Sequence, residues 1–297
     1  MNLIKPIKLK KGDTISIIAP AGDVDLKKIK IATKYFTDKG YKIKLGSNIN
    51  KSYRYLAGTD EERLEDLHNA FLDKETNAIL CARGGYGAIR LINKIDYNII
   101  RNNPKIFCGY SDITALSIMI LQNSGLVTYS GPMAQSDFST EEIDKFTENE
   151  FFNTLKGNTS TIKATKNLKT YKSGNTEGIL FGGNLATITS LCGQNFIPDK
   201  KFIFFTEDIN EDAYKIDKYF TQLLNIKQFK NNLNGIILGD FTGTDDINYL
   251  ENFFKELANQ LDIPIYSGYP ISHTKVKATI PIGLNAKLVD GIIYFRN

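Results

Sequence analysis

Along the first half of the chain, apolar residues alternate between a strand-like and a helix-like pattern. "DTISIIAPAG" is an apolar, β-branched run closed by Pro20 and Gly22, which predicts a strand. "LKKIKIATKYFTDKG" has apolar residues at helical spacing and ends at Gly40, a residue type suited to the position after a helix. "YKIKLG" predicts a strand, and "TDEERLEDLHNAFLD" a helix with Thr59 or Asp60 as its cap and acids in its first turn. The series continues with strand "NAILCARGG", helix "YGAIRLINKI", strand "KIFCGY" and helix "DITALSIMILQNSG". Strands separated by helices pair in parallel, so the pattern predicts an open parallel α/β sheet with helices on both faces. Ligands of such sheets bind beyond the carboxyl ends of the strands, the edge that residues 84–87 and Ser111 would occupy.

The pattern changes near residue 137. From there to 176 the chain is rich in Lys, Thr, Asn and Ser, which predicts a polar linker or peripheral hairpin. Beyond it, "GILFGG", "KFIFFTED", "GIILGDF", "PIYSGYP", "ATIPIGLNAKLVDG" and "IIYF" are mostly strand signals with fewer helices. The expected organisation is an N-terminal α/β domain over 1–140, a polar segment over 141–176 and a β-rich C-terminal domain over 177–297.

Composition narrows the function classes. Hydrophobic residues make up 42% and charged residues 24%, enough to bury a large core. The net charge of +4 comes from 37 basic against 33 acidic side chains, and no basic stripe is interleaved with stacking aromatics, so no nucleic-acid partner is expected. No apolar run approaches the roughly 18 residues of a spanning helix, and the N-terminus has no long apolar stretch before its first strand, so no membrane partner is expected. Cys81, Cys108 and Cys192 are scattered, which fits a reducing compartment. A cytoplasmic location is the expectation.

The chemistry starts at "KIFCGYSDITALSIMI", where a buried strand turns into a helix at a serine. Ser111 or Asp112 could be the helix N-cap. The less common alternative is a nucleophile at Ser111 on a tight strand-to-helix turn, with nearby N–H groups for an oxyanion. A nucleophilic serine needs a base, and the chain has two histidines. His68 lies at the edge of a helix's apolar face and reads as half-buried and structural, whereas His273 lies in a loop between strands. Glu207, at the end of the aromatic strand "KFIFFTED", is a candidate orienter for the imidazole, while Asp208, Glu211 and Asp212 read as complements to a helix dipole. In "ARGGYGAIR" the adjacent glycines suit close backbone approach to a substrate, but the motif is a weak nucleotide signature. At this level, serine hydrolysis and ligand binding by an α/β protein both remain open.

Several motifs in order resemble one family, the L,D-carboxypeptidases of the S66 serine peptidase type, also called muramoyltetrapeptide carboxypeptidases. They are "LKKGDTISIIAPAG", "YLAGTDEERLEDLHNAFLDKETNAILCARGGYGAIRLI", "KIFCGYSDITAL", "YSGPM", "GILFGGNLATITSL", "FTEDINEDAYKIDKYF" and "ATIPIGLNAKL". The resemblance implies a Ser–His–Glu triad of Ser111, His273 and Glu207, in a site between an α/β N-terminal and a β-rich C-terminal domain. It implies oxyanion donors in the backbone N–H groups of Asp112, Gly84 and Gly85, with Arg83 and Tyr86 as substrate-binding candidates. It further implies release of a C-terminal D-alanine from a muropeptide substrate in peptidoglycan recycling, with no metal and no cofactor, and a possible homodimer. Two departures stand out: Ser272 precedes the histidine where the family often has glycine, and Lys218 stands where it often has arginine. Some members instead resemble self-immunity enzymes that cleave peptide–nucleotide antibiotics of the microcin C type and carry a stacking aromatic, often tryptophan. This chain has no tryptophan, and only Phe196 is at hand after the G-G-N-L motif.

Overall fold

A computed structural model describes residues 2–165 and 168–296, in two units. Unit one is Met1–Asn158 with Thr279–Ile282, and unit two is Thr159–Ala278 with Gly283–Asn297. Lys166 and Asn167, part of the polar segment, lie outside the described residues.

Unit one contains β1 (Thr14–Ile18), α1 (Leu26–Asp38), β2 (Lys42–Leu45), α2 (Asp60–Leu72), β3 (Thr76–Cys81), α3 (Tyr97–Asn102), β4 (Ile106–Cys108), α4 (Ile113–Ser124), β5 (Thr128–Ser130), α5 (Ala134–Asp137) and α6 (Lys145–Leu155). Its sheet runs β12-β5-β4-β3-β1-β2, where β12 is Ile280–Ile282. Every pair is parallel except β12 with β5. The apolar runs of β1 and β4 are buried throughout, as strands covered on both faces require. β2, "KIKL", is an edge strand whose lysines discourage further pairing. The α2 start is fixed by a capping box between Thr59 and Glu62.

Two segments differ from the sequence reading. "YGAIRLINKI" forms only a 3₁₀ turn at Ala88–Arg90. Gly87 enters that turn at φ 130, and Asp96 caps the separate helix α3, while Leu91, Ile92 and Ile95 are buried without helical continuity. The stretch predicted as a polar linker instead folds into both units. Its first part is α6, capped by Asp144, which buries Phe151, Phe152 and Leu155 in the unit-one core. Phe151 lies 5.0 Å from Phe138 and 6.1 Å from Phe36 between ring centroids. Its second part supplies β6 (Thr161–Ile162) and β7 (Lys169–Lys172), the two edge strands of the unit-two sheet, where polar residues face solvent.

Unit two also contains β8 (Thr176–Asn184), α7 (Leu185–Ser190), β9 (Phe202–Ile209), α8 (Ala213–Leu224), α9 (Lys227–Asn232), β10 (Leu233–Thr242), α10 (Ile247–Gln260), β11 (Ile265–Ser267), β13 (Asn285–Val289) and β14 (Ile292–Phe295). The sheet order is β6-β14-β13-β8-β9-β10-β11-β7, with β8 to β11 parallel and the flanking pairs antiparallel. Helices α7 to α10 thus add an α/β centre to the β-rich character read from the sequence. Phe181, Phe202, Phe204 and Phe229 form a chain of ring contacts in its core. Among the described residues, no helix is long and apolar enough to cross a membrane.

Because α6 is held by its aromatic face, Phe151→Ala is expected to cost about 3–5 kcal/mol in urea unfolding. Limited proteolysis of the same variant should then cut first within residues 139–158.

Candidate active site

In unit one the strand-to-helix turn has an unusual backbone. β4 ends at Cys108, Gly109 N–H donates to the Tyr129 carbonyl at 3.1 Å, and α4 begins at Ile113. Between them Ser111 adopts φ 62, the left-handed region, which a residue with a Cβ enters at a cost of about 1–2 kcal/mol. Asp112 holds the N-cap position but makes no side-chain cap bond. Its Oδ2 accepts instead from the Ala88 N–H at 2.8 Å, tying the turn to the glycine-rich loop after β3. The helix-cap reading therefore describes neither side chain.

That loop lies against the serine. A Cβ built on Gly84 would sit 2.8 Å from Ser111 Cβ, 3.0 Å from its Oγ and 3.3 Å from the Asp112 nitrogen, so only glycine permits the approach. The Gly84 carbonyl accepts from Gly22 N–H at 3.1 Å. Gly85 is exposed at φ 104, and Tyr86 is 51% exposed. Arg83 is half-buried and donates through Nη1 to the Asp23 carbonyl at 3.2 Å. Burial pushes the Asp112 carboxyl up to about 6, against the pull of the Ala88 N–H and the Arg63 charge.

In unit two, β9 carries Glu207 and Asp208 inside the strand, both 3% exposed. Glu207 Oε2 lies 2.6 Å from His273 Nδ1. A carboxylate there holds the imidazole proton on Nδ1 and leaves Nε2 with the lone pair, as a general base requires. His273 sits on the loop from β11 to β12. Ser272 braces this loop: its Oγ lies 2.7 Å from Thr274 Oγ1, accepts from Thr274 N–H at 3.0 Å and donates to the Val276 carbonyl at 3.2 Å. Lys218 is an exposed residue of α8 with its ammonium 5.4 Å from the Tyr219 ring centre.

The sequence reading missed Asn184 and misplaced Asp208. Strand pairing sets Asn184 of β8 beside Glu207 of β9. Asn184 Oδ1 accepts from Thr187 N–H at 3.0 Å, which caps α7 and turns Nδ2 toward the acids. That Nδ2 donates to Asp208 Oδ1 at 2.8 Å and Glu207 Oε1 at 3.3 Å. Asp208 does not complement α8; it also accepts from Ala186 N–H at 2.8 Å, and burial pushes its carboxyl up to about 6. Asn before "LATITS" could have been read as a cap, but its second role needed the strand register. His68, as expected, is half-buried and accepts through Nε2 from Asp96 N–H at 3.1 Å, while burial lowers its pKa. The structure thus gathers Ser111, Asp112 and Gly84 in unit one, and Glu207, His273, Asn184 and Asp208 in unit two.

Residues 15–131 match the LD-carboxypeptidase N-terminal domain and residues 177–288 its C-terminal domain. The chain belongs to this family, peptidase family S66, and is an enzyme of the carboxypeptidase class. It is 37% identical to a probable murein peptide carboxypeptidase of Bacillus subtilis, over 96% of this chain and 91% of that protein. It is 30% identical to a murein tetrapeptide carboxypeptidase of Pseudomonas aeruginosa, over 92% of each. Its fold matches the crystal structure of an MccF-like protein from Bacillus anthracis with a TM-score of 0.89, at 29% identity over 99% of this chain and 100% of that one.

Two outcomes test the unit-one geometry. Ser111→Gly removes a left-handed Cβ and is expected to raise stability by about 1 kcal/mol in urea unfolding. Asp112 has a folded pKa above its unfolded value, so its favourable contribution is present below about pH 4 and lost as pH rises through about 6. Asp112→Asn keeps an acceptor for Ala88 and is therefore expected to gain on wild type by roughly 2–3 kcal/mol between pH 4 and pH 7, measured as urea midpoints across that range.

Proposed function

We propose that this protein is a serine-type L,D-carboxypeptidase that releases the C-terminal D-alanine of murein tetrapeptides, in the cytoplasm and in the service of murein recycling. The observation that carries the reading is the left-handed backbone of Ser111, at a strand-to-helix turn with a glycine pressed against its Cβ. A helix cap needs no such strain, whereas a displayed nucleophile does. The named activities of the Bacillus and Pseudomonas relatives supply the substrate class.

In this mechanism Ser111, Glu207 and His273 act as one triad. His273, with its Nδ1 proton held by Glu207, accepts the Ser111 proton at Nε2 while Oγ attacks the carbonyl carbon preceding D-alanine. The N–H groups of Asp112 and of the 84–85 turn stabilise the oxyanion. His273 then protonates the leaving amine, D-alanine departs, and water attacks the acyl-enzyme with His273 again as base. Arg83, whose guanidinium is fixed over the 22–23 turn, and Tyr86 beside it recognise the free terminal carboxylate.

A second reading, cleavage of a peptide–nucleotide of the microcin C type, has the MccF-like fold match in its favour. Phe196 speaks against it: at 1% exposure it packs on Phe181 inside unit two and offers no face to a base.

Mass spectrometry of a murein tetrapeptide should show loss of one D-alanine with wild type and none with Ser111→Ala. Glu207→Gln should lower the rate at least about 100-fold. Cleavage by Ser111→Ala would remove Ser111 from the mechanism. An intact tetrapeptide alongside a cleaved peptidyl-nucleotide would move the protein to the second reading.

A further inference from the structure

Arg63 is 1% exposed, and the mechanism above does not use it. It projects from the first turn of α2, just inside the Thr59–Glu62 capping box. Its Nη1 donates to the Pro20 carbonyl at 2.6 Å and to the Gly87 carbonyl at 2.9 Å, and its Nη2 to Asp60 Oδ1 at 2.6 Å. One planar fork thus joins the loop after β1 to the glycine-rich loop after β3. The next residue along that second loop, Ala88, gives its N–H to Asp112, and Gly84 in the same loop lies against Ser111. Gly87 fits closely around the guanidinium: a Cβ on it would meet Arg63 Nη1 at 2.8 Å.

The cluster is poorly explained as a stabilising device. Arg63 Nε has no hydrogen-bond partner among the described residues, and Asp60 is shared with Arg90 and Lys94 at 2.7 and 2.9 Å. Buried ion pairs of this kind are often replaceable by apolar residues without loss of stability. What an apolar residue could not do is hold two backbone carbonyls from two loops in one plane.

We infer that Arg63 is a positioning residue for the reaction: by fixing the Pro20 and Gly87 carbonyls it sets the 84–88 turn, and through Ala88 and Asp112 the left-handed placement of the Ser111 hydroxyl and its oxyanion donors. The inference rests on Ser111 being the nucleophile. Both carbonyls are held by Nη1 and Asp60 by Nη2; lysine offers a single tetrahedral ammonium on a shorter side chain for all three partners, so Arg63→Lys releases at least one carbonyl. Asp60→Asn loosens the same fork more gently while leaving Arg63 in place.

The test compares wild type, Arg63→Lys and Asp60→Asn as full chains, at a temperature where circular dichroism shows each folded. D-alanine release from a murein tetrapeptide and amide exchange of Gly87 and Ala88 are both measured. For Arg63→Lys the expected result is a kcat about 100-fold lower with KM within about threefold, since small displacements of reacting groups cost that much. Exchange at Ala88 should quicken while the β1 and β4 amides stay unchanged. Asp60→Asn should move both readouts the same way, by about tenfold in kcat, and decides the matter should Arg63→Lys not fold. A purely structural role would lower the melting temperature and leave kcat per folded molecule near the wild-type value, which overturns the inference. Unchanged Ala88 exchange overturns it as well. Failure of the proposed reaction shows separately, as absence of release by wild type, and the exchange result then decides alone whether Arg63 sets the turn.

Discussion

The left-handed backbone of Ser111 is the constraint around which the sheet edge of unit one is organised. A serine does not rest there unaided, so its surroundings must over-determine the turn. Gly109 anchors the strand end on the Tyr129 carbonyl, Asp112 is pinned to Ala88, and Gly84 leaves no room for the turn to relax toward it. Two of these ties come from the glycine-rich loop after β3 and the third from strand β5, and the loop lies at the carboxyl end of its parallel strand, where such sheets place their ligands. Helix α4 supplies the rigid base, with ten of its twelve residues buried.

Buried carboxylates are handled in three ways. Asp60 takes three cations, and the Arg90 and Lys94 hydrogen bonds hold its pKa well below the usual carboxylate range. Asp112 and Asp208 take backbone N–H groups, and burial outweighs those bonds, pushing both carboxyls up to about 6. Glu207 takes an amide on one oxygen and an imidazole on the other, so both its oxygens are oriented by partners fixed in their own elements. The first arrangement locks a loop, the second pins backbone, and the third aims a side chain. The same chemical group thus serves three ends because its neighbours differ.

Where local pattern and tertiary role coincided, the sequence could be read directly. The strands β1, β3 and β4 of unit one are largely apolar, buried runs, and the cap read at Thr59 is the one that starts α2. The position of Ser111 between a strand and a helix was legible for the same reason. Where a segment owed its state to distant partners, the reading failed. Residues 88–95 have helical spacing, yet Gly87 and the Ala88–Asp112 bond break the helix after one short turn. The polar stretch 141–176 hid an aromatic helix face and two edge strands, whose polarity reflects their place at the sheet margins.

By itself the sequence determined the alternation of elements, the parallel α/β character, and the turn that bears the serine, because these depend on spacings within a few residues. It also put His273 in a loop and Glu207 at the end of an apolar strand, although that strand runs on past Glu207 to Ile209. Only the tertiary structure decided that Nδ1 of one lies 2.6 Å from a carboxylate oxygen of the other, that Asn184 reaches both acids of β9, and that Arg63 spans two loops. Those pairings join residues far apart in the chain. Strand register and helix packing bring them together, and neither leaves a signature in the local order of residues.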